Sequence, residues 1–169
     1  MPRPSPLIAE IRRFVGAGPD HPYASAENMR AFDHLLRSQA AAALARAAAV
    51  WRRRYTAALA DPSAALAALA GKSGAVEAAR AAKGWADRLS QLAQLLEVQP
   101  APAGDRVWRR LRDTESLLDT LIALDYAVVG HLEAIGRATE QGAVVQLEAE
   151  LARLEARLRE RWQLLESVP

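Results

Sequence analysis

The chain predicts an all-α fold, an elongated helical bundle of three to four long antiparallel helices with short helices at its ends. Three observations point there. Ala, Leu, Arg, Glu and Gln dominate while β-branched residues are sparse, no stretch alternates apolar and polar residues with period two, and apolar positions recur every three to four residues over long segments. With 169 residues, 51% of them hydrophobic, the chain can bury one sizeable core and is expected to form a single domain.

The punctuation orders the elements. Ser5-Pro6 sets a cap before a proline at the first helical position, and Gly16 with Gly18-Pro19 supplies a stop, so 1–24 reads as a short amphipathic helix and loop. Leu7, Ile8, Ile11, Phe14 and Val15 share one face there, with Arg12 and Arg13 beside it. Such a helix suits a lid on a bundle end; a membrane interface is the alternative. Ser25 caps a long helix over 25–60. Asp61-Pro62 repeats the cap-then-proline signal and opens a short Ala/Leu helix over 61–71, "GKSG" turns the chain, and 75–98 is again helical. "QPAPAG" makes 99–104 a linker, Asp105 caps a long helix over 105–139, and a C-terminal helix covers 143–166. Helices of some 35 residues extend about 50 Å, and short connections make them antiparallel neighbours.

Phase decides whether the last two helices are one rod. At about 100° per residue, Val107, Leu111, Leu118, Leu121, Val128, Val129 and Leu132 share one direction, and the stripe of the last helix is rotated from it by about 100°. A continuous heptad drifts the other way, by about 20° per heptad. Gly142 therefore reads as the break in a C-terminal helical hairpin. Leu147, Leu151, Leu154, Leu158, Trp162 and Leu165 form a narrow coiled-coil-like seam on its second arm, suited to packing within the bundle or to a homodimer or partner helix.

Composition narrows the function. Basic residues number 22 against 20 acidic, a formal net charge of +2, so the chain carries no strong positive field. Cysteine is absent, which excludes disulfides and thiolate metal sites and favours a cytoplasmic address. The opening "MPRPSPLIAEIRRFVG" has too short an apolar run and too many charges for a secretory signal, and no charge-free run reaches the roughly 18 residues of a membrane span.

Chemistry-bearing motifs are missing. "AGKSG" ends like a phosphate-binding loop, but Leu66 stands where the first glycine belongs and no strand precedes it. The residues three before His34 and His131 are Ala31 and Val128, not the Glu of a di-iron bundle, and His131 falls on the polar side of its helix. No metal, cofactor or catalytic residue is expected.

Two features stand out. Asp125 lies among Leu118, Leu121, Ile122, Val128, Val129 and Leu132 on an apolar face, where an unpaired carboxylate costs several kcal/mol. It calls for a cationic partner, with Arg37, His34 and Arg54 as candidates, and serves either as a register-fixing pair or as a polar pocket. The second feature is a pair of arginine clusters, "VWRRRY" at 50–55 and "VWRRLR" at 107–112. In the first, Trp51 and Tyr55 join the apolar stripe while Arg52, Arg53 and Arg54 cover the flanks and back. In the second, Arg110 leans to the apolar side and Trp108 points away from it, to an exposed position or to another element. Trp108, Arg109, Arg110 and Arg112, with Arg52 and Arg53, form a candidate interaction surface, which Asp113, Glu115 and Asp119 blunt for phosphate backbones.

These observations lead to a non-enzymatic bundle acting through protein–protein contacts, as an adaptor, assembly subunit or small regulator, with a homo-oligomer as one form. A basic subunit touching nucleic acid or an anionic membrane is the second reading, and a ligand-binding or catalytic bundle centred on Asp125 the third.

Overall fold

The structure is a computed structural model and describes residues 22–60, 74–100 and 105–167. Five α-helices lie among the described residues: α1 Ala26–Ala60, α2 Gly74–Val98, α3 Asp105–Asp113, α4 Glu115–Gln141 and α5 Val144–Ser167. The helices expected over 1–24 and 61–71, and most of the 99–104 linker, fall outside the described residues. No helix among the described residues is long and apolar enough to cross a membrane.

Ser25 does cap α1, its Oγ accepting the Asn28 N–H at 3.0 Å. The core face of α1 carries Met29, Phe32, Leu36, Ala40, Ala41, Leu44, Ala47, Ala48 and Trp51. It meets a narrow stripe on α2, Ala82, Ala86, Leu89, Ala93 and Leu96, so small side chains face each other and the two backbones approach closely. Arg37 donates to the Gln99 carbonyl at 2.6 Å, and Arg52 to Ser90 Oγ at 2.5 Å, which fixes α1 and α2 as antiparallel.

The second half is a Leu-rich hairpin. α4 and α5 run antiparallel and join through Gly142, whose φ of 69° lies in the left-handed region. Ala143 N–H donates to the Ala138 carbonyl at 2.9 Å and Gly142 N–H to the Thr139 carbonyl at 3.2 Å, a Schellman closure of the last turn. The expected break at Gly142 is where the chain turns.

One expected helix is divided. Thr114 sits at φ −119°, ψ 97°, which separates α3 from α4 and offers its carbonyl to the N–H groups of Leu117 and Leu118. Phase explains the break. Carried along an unbroken helix, the buried direction of Trp108 and Leu111 would lie about 120° from that of α4, so one straight rod could not bury both. The extended residue takes up the rotation. α3 then lies beside the start of α1, where Arg30 pairs with Asp105.

The Leu-rich hairpin and the α1–α2 pair stack with α1 parallel to α4, giving an up-down-up-down order with α3 set into the α2–α4 connection. α1 packs on α2, α4 on α5 and α1 on α4, whereas the α2–α5 side is the most loosely packed. Leu147, Leu151, Leu154, Leu158 and Leu165 are buried against the chain's own helices.

Gly142→Ala forces a Cβ into a left-handed conformation, where L-residues lose about 1–2 kcal/mol. Thermal unfolding should drop by roughly 2–8 °C, with the helix content seen by circular dichroism unchanged.

Candidate functional site: a buried arginine between two aspartates

The apolar face of α4 carries Asp125, buried as expected, and its cationic partner is Arg161 of α5. Arg161 Nε donates to Asp125 Oδ1 at 2.6 Å and its Nη1 to Asp33 Oδ1 of α1 at 2.6 Å. Tyr23, just before α1, donates its hydroxyl to Asp125 Oδ2 at 2.9 Å. Arg37 donates its Nε to Asp33 Oδ2 at 2.9 Å, so two aspartates meet two arginines and the charges balance. One guanidinium thereby ties α1, α4 and α5 together.

Burial pushes the Asp125 carboxyl above the usual carboxylate range, against the pull of the Arg161 guanidinium and the Tyr23 hydroxyl. Burial and then the Asp125 charge push the Tyr23 hydroxyl above the ordinary tyrosine range, which keeps it a donor. For Arg161, burial pulls downward, but Asp125 and Asp33 together outweigh it and hold the guanidinium above arginine's ordinary value.

The three partners proposed for Asp125 lie elsewhere. His34 is exposed on the outside of α1. Arg37 enters the network one step removed, through Asp33. Arg54 lies near the far end of the bundle, its Cζ 4.5 Å above the Trp51 ring and its Nη2 on the Glu140 carbonyl at 3.0 Å. The missed partner had a signal: Leu147, Leu151, Leu154, Leu158, Arg161 and Leu165 step strictly by four and three. Arg161, not Trp162, holds the seam position, and Trp162 is only half-buried. Asp33 likewise lies on the Met29–Leu36 face.

The two arginine clusters do not converge. Arg52 and Arg53 sit toward the end of α1, while α3 lies beside its start at Arg30, 22 residues earlier or about 33 Å along the axis. The α3 cluster is also occupied locally, with Arg109 near Asp105 at 4.0 Å and Arg112 on Asp113 at 2.7 Å. Trp108 leaves the candidate interaction surface altogether: it is 0% exposed, because the break at Thr114 turns α3 inward. Arg110 is exposed rather than leaning on the core. The first cluster instead builds a stack across the bundle. Trp51 and Trp85 lie 6.5 Å apart there, and Arg88 covers Trp85 at 5.7 Å and reaches Glu155 at 3.1 Å.

The polar side of α4 sets His131 against α5 rather than in open solvent. His131 is half-buried, its Nδ1 2.8 Å from Glu150 Oε2, and because a carboxylate only accepts, Nδ1 carries the proton. That hydrogen bond, helped by Arg153, holds the Glu150 carboxyl below its ordinary 4.5.

Comparison with protein-family models, with curated proteins and with solved structures finds no match. Function must therefore be read from what the fold leaves open. Among the described residues no three His, Asp or Glu side chains are placed to hold a metal ion. A cleft of about 40 Å³ opens over the network, lined by Asp33, Arg37, Gln99, Pro100, Trp162, Leu165 and Glu166. Small-molecule sites usually run to about 300–1,000 Å³, so this cleft has room for waters or a side-chain tip. It lies where the residues just past α2 meet α1 and the last turns of α5. By helical phase Leu92 and Leu95 share the flank of α2 that carries Arg88, whose guanidinium reaches Glu155 of α5. Leu95 stays 45% exposed. A second, broader depression over Val144, Val145 and Ala149 has all its lining from Ala143 onward in α5 and its cap, and is a surface rather than a cavity.

Removing one partner of a buried ion pair costs about 3–5 kcal/mol, so Asp125→Leu and Arg161→Leu should each lower the melting temperature by roughly 6–20 °C. Asp125→Asn, which keeps an acceptor for Tyr23, should cost less; equal losses for Asn and Leu in thermal scans would show that charge alone matters.

Glu150 sets a pH dependence. A carboxyl lowered by folding contributes stability that is full above its ordinary 4.5 and is lost as pH falls through the lowered value. Asp125, raised by folding, has the opposite sign, its contribution declining as pH rises from 3.8 toward the native value. Glu150→Gln should therefore flatten the acid side of the stability profile in urea titrations below pH 4.5.

Proposed function

We propose that the chain is a non-enzymatic helical-bundle protein acting through protein–protein contacts, as an adaptor, assembly subunit or small regulator that receives an amphipathic helix in the groove between α2 and α5. The observation that carries this reading is the open α2–α5 side, where Leu95 is exposed, Trp162 is half-buried and Arg37 forms part of the floor. An apolar helix face laid into a groove is a recurrent mode of peptide recognition, and buried aromatic and arginine side chains at the centre are typical anchors. Two of the groove's three elements, α1 and α5, are tied together by Arg161, so the site is held in shape before a partner arrives and loses little entropy on binding.

The absence of cysteine from all 169 residues suits a reducing compartment, and the cytoplasm is the proposed address. Contact with nucleic acid is the weaker reading, since the arginine clusters point to different ends of the bundle.

The test is affinity capture from the native host, paired with light scattering, using the native chain, Leu95→Glu and Val145→Glu. Both positions are exposed, at 45% and 84%, so neither change should unfold the bundle. The expected result is a partner or a second copy that Leu95→Glu loses and Val145→Glu keeps. The reverse pattern moves docking to the hairpin end, and a monomer that captures nothing ends the reading.

A further inference from the structure

We propose that the cleft over the Asp33–Arg37 pair is a cation site, which seats the guanidinium of an arginine carried by the partner helix. The inference rests on the α2–α5 side being a helix-docking surface and names the chemistry that the partner brings to it. Charge supports it first. α2 ends at Val98, and Gln99 and Pro100 just beyond it line the cleft, while Leu165 and Glu166 line it from the last turn of α5. Two helix C-termini thus meet there, each carrying partial negative charge, and neither has a basic residue in its last turn. Arg37, the cation among these lining residues, is already engaged, with its Nε on Asp33 Oδ2 and its Nη1 on the Gln99 carbonyl. The buried network sets Asp33 and Asp125 against Arg37 and Arg161, which leaves the Glu166 carboxylate as the unmatched charge of the lining. Glu166 is exposed and pairs with no cation among the described residues.

Size and chemistry agree. A volume of about 40 Å³ admits a side-chain tip and nothing larger. Trp162 lines the cleft half-buried, so its ring offers a face to a guanidinium, whose planar fork donates to Glu166 while the methylene stem packs on Leu165. The seat is held before a partner arrives, because Arg37 fixes the Gln99 carbonyl at 2.6 Å and Asp33 is only 1% exposed. Leu95, 45% exposed, lies one helical turn before Gln99, about 6 Å along α2. A partner helix that covers Leu95 therefore reaches the cleft with a residue one turn away, so the partner carries an apolar residue and an arginine three or four positions apart.

The test isolates the cation from the rest of the partner. N-acetyl-arginine amide is titrated into the full chain and followed by the indole N–H resonance of Trp162, assigned from Trp162→Phe, with N-acetyl-citrulline amide as the neutral isostere. The expected result is saturable binding in the millimolar range, roughly tenfold tighter for arginine than for citrulline, as a cation–π contact joined to a rim ion pair provides. Glu166→Gln should weaken arginine roughly threefold and leave the melting temperature unchanged, since the position is exposed. A Trp162 resonance unmoved by arginine up to about 100 mM overturns the inference. Equal affinity for arginine and citrulline, no change in Glu166→Gln, or tighter binding of N-acetyl-glutamate amide through Arg37 does the same. The two proposals fail separately. A partner lost by Leu95→Glu from a chain that ignores free arginine leaves the docking surface standing without its cationic anchor, whereas arginine binding with no captured partner shows a cation cleft and no helix-docking surface.

Discussion

The guanidinium of Arg161, held between Asp125 and Asp33, is the interaction on which the arrangement of the bundle depends. Its cost is large, because three charged groups leave water, and well-packed apolar residues in their place would often be as stable or more so. Its selectivity is the compensation. The α5 seam is otherwise almost all leucine, and leucine seams tolerate sliding by a heptad. A slide would set Arg161 against apolar residues and leave Asp125 without a cation, which disfavours every pairing of α1, α4 and α5 but this one. Arg37 and Tyr23 complete the hydrogen bonding, and the network is thereby satisfied rather than half-made.

That constraint falls unevenly over the four long helices. α2 carries no member of the network except the Gln99 carbonyl just past its end, and its buried stripe is mostly alanine. Alanine permits close approach to α1 but covers little area, so α2 is fastened on one side. Its other flank reaches α5 through a long side chain, Arg88 to Glu155. The loose packing of the α2–α5 side is therefore a consequence of where the large residues lie: leucine closes the α4–α5 pair and alanine closes α1–α2.

The sequence made the helical architecture and the burial of Asp125 legible, because both follow from periodicity. The partner of Asp125 was harder to see. Trp162 is so apolar that it draws the α5 stripe toward itself, and only the strict four-three spacing shows that Arg161 takes the core position. Charge in a core is legible as an anomaly when it stands alone, as Asp125 does, and hidden when an aromatic neighbour offers a plausible substitute. The division at Thr114 was hidden for a different reason: neither glycine nor proline marks it, and the rotation it absorbs is visible only once Trp108 is known to be buried. Tertiary packing, not local propensity, ends α3.

The arginines show the same principle from the surface side. Arg54 lies on Trp51 and donates to a carbonyl at the end of α4, where the helix dipole favours a cation, and the Gly142 turn leaves room for it. Arg88 and Arg37 are spent on neighbouring helices in similar ways. Of the side chains that looked like a phosphate-binding patch, Arg52 and Arg54 thus act as struts between helices. Once these charges are assigned to the interior and to helix ends, Leu95 on α2 and the half-buried Trp162 on α5 remain as apolar side chains on the loosely packed side. The residues that first suggested chemistry are thus accounted for by the packing of the helices themselves.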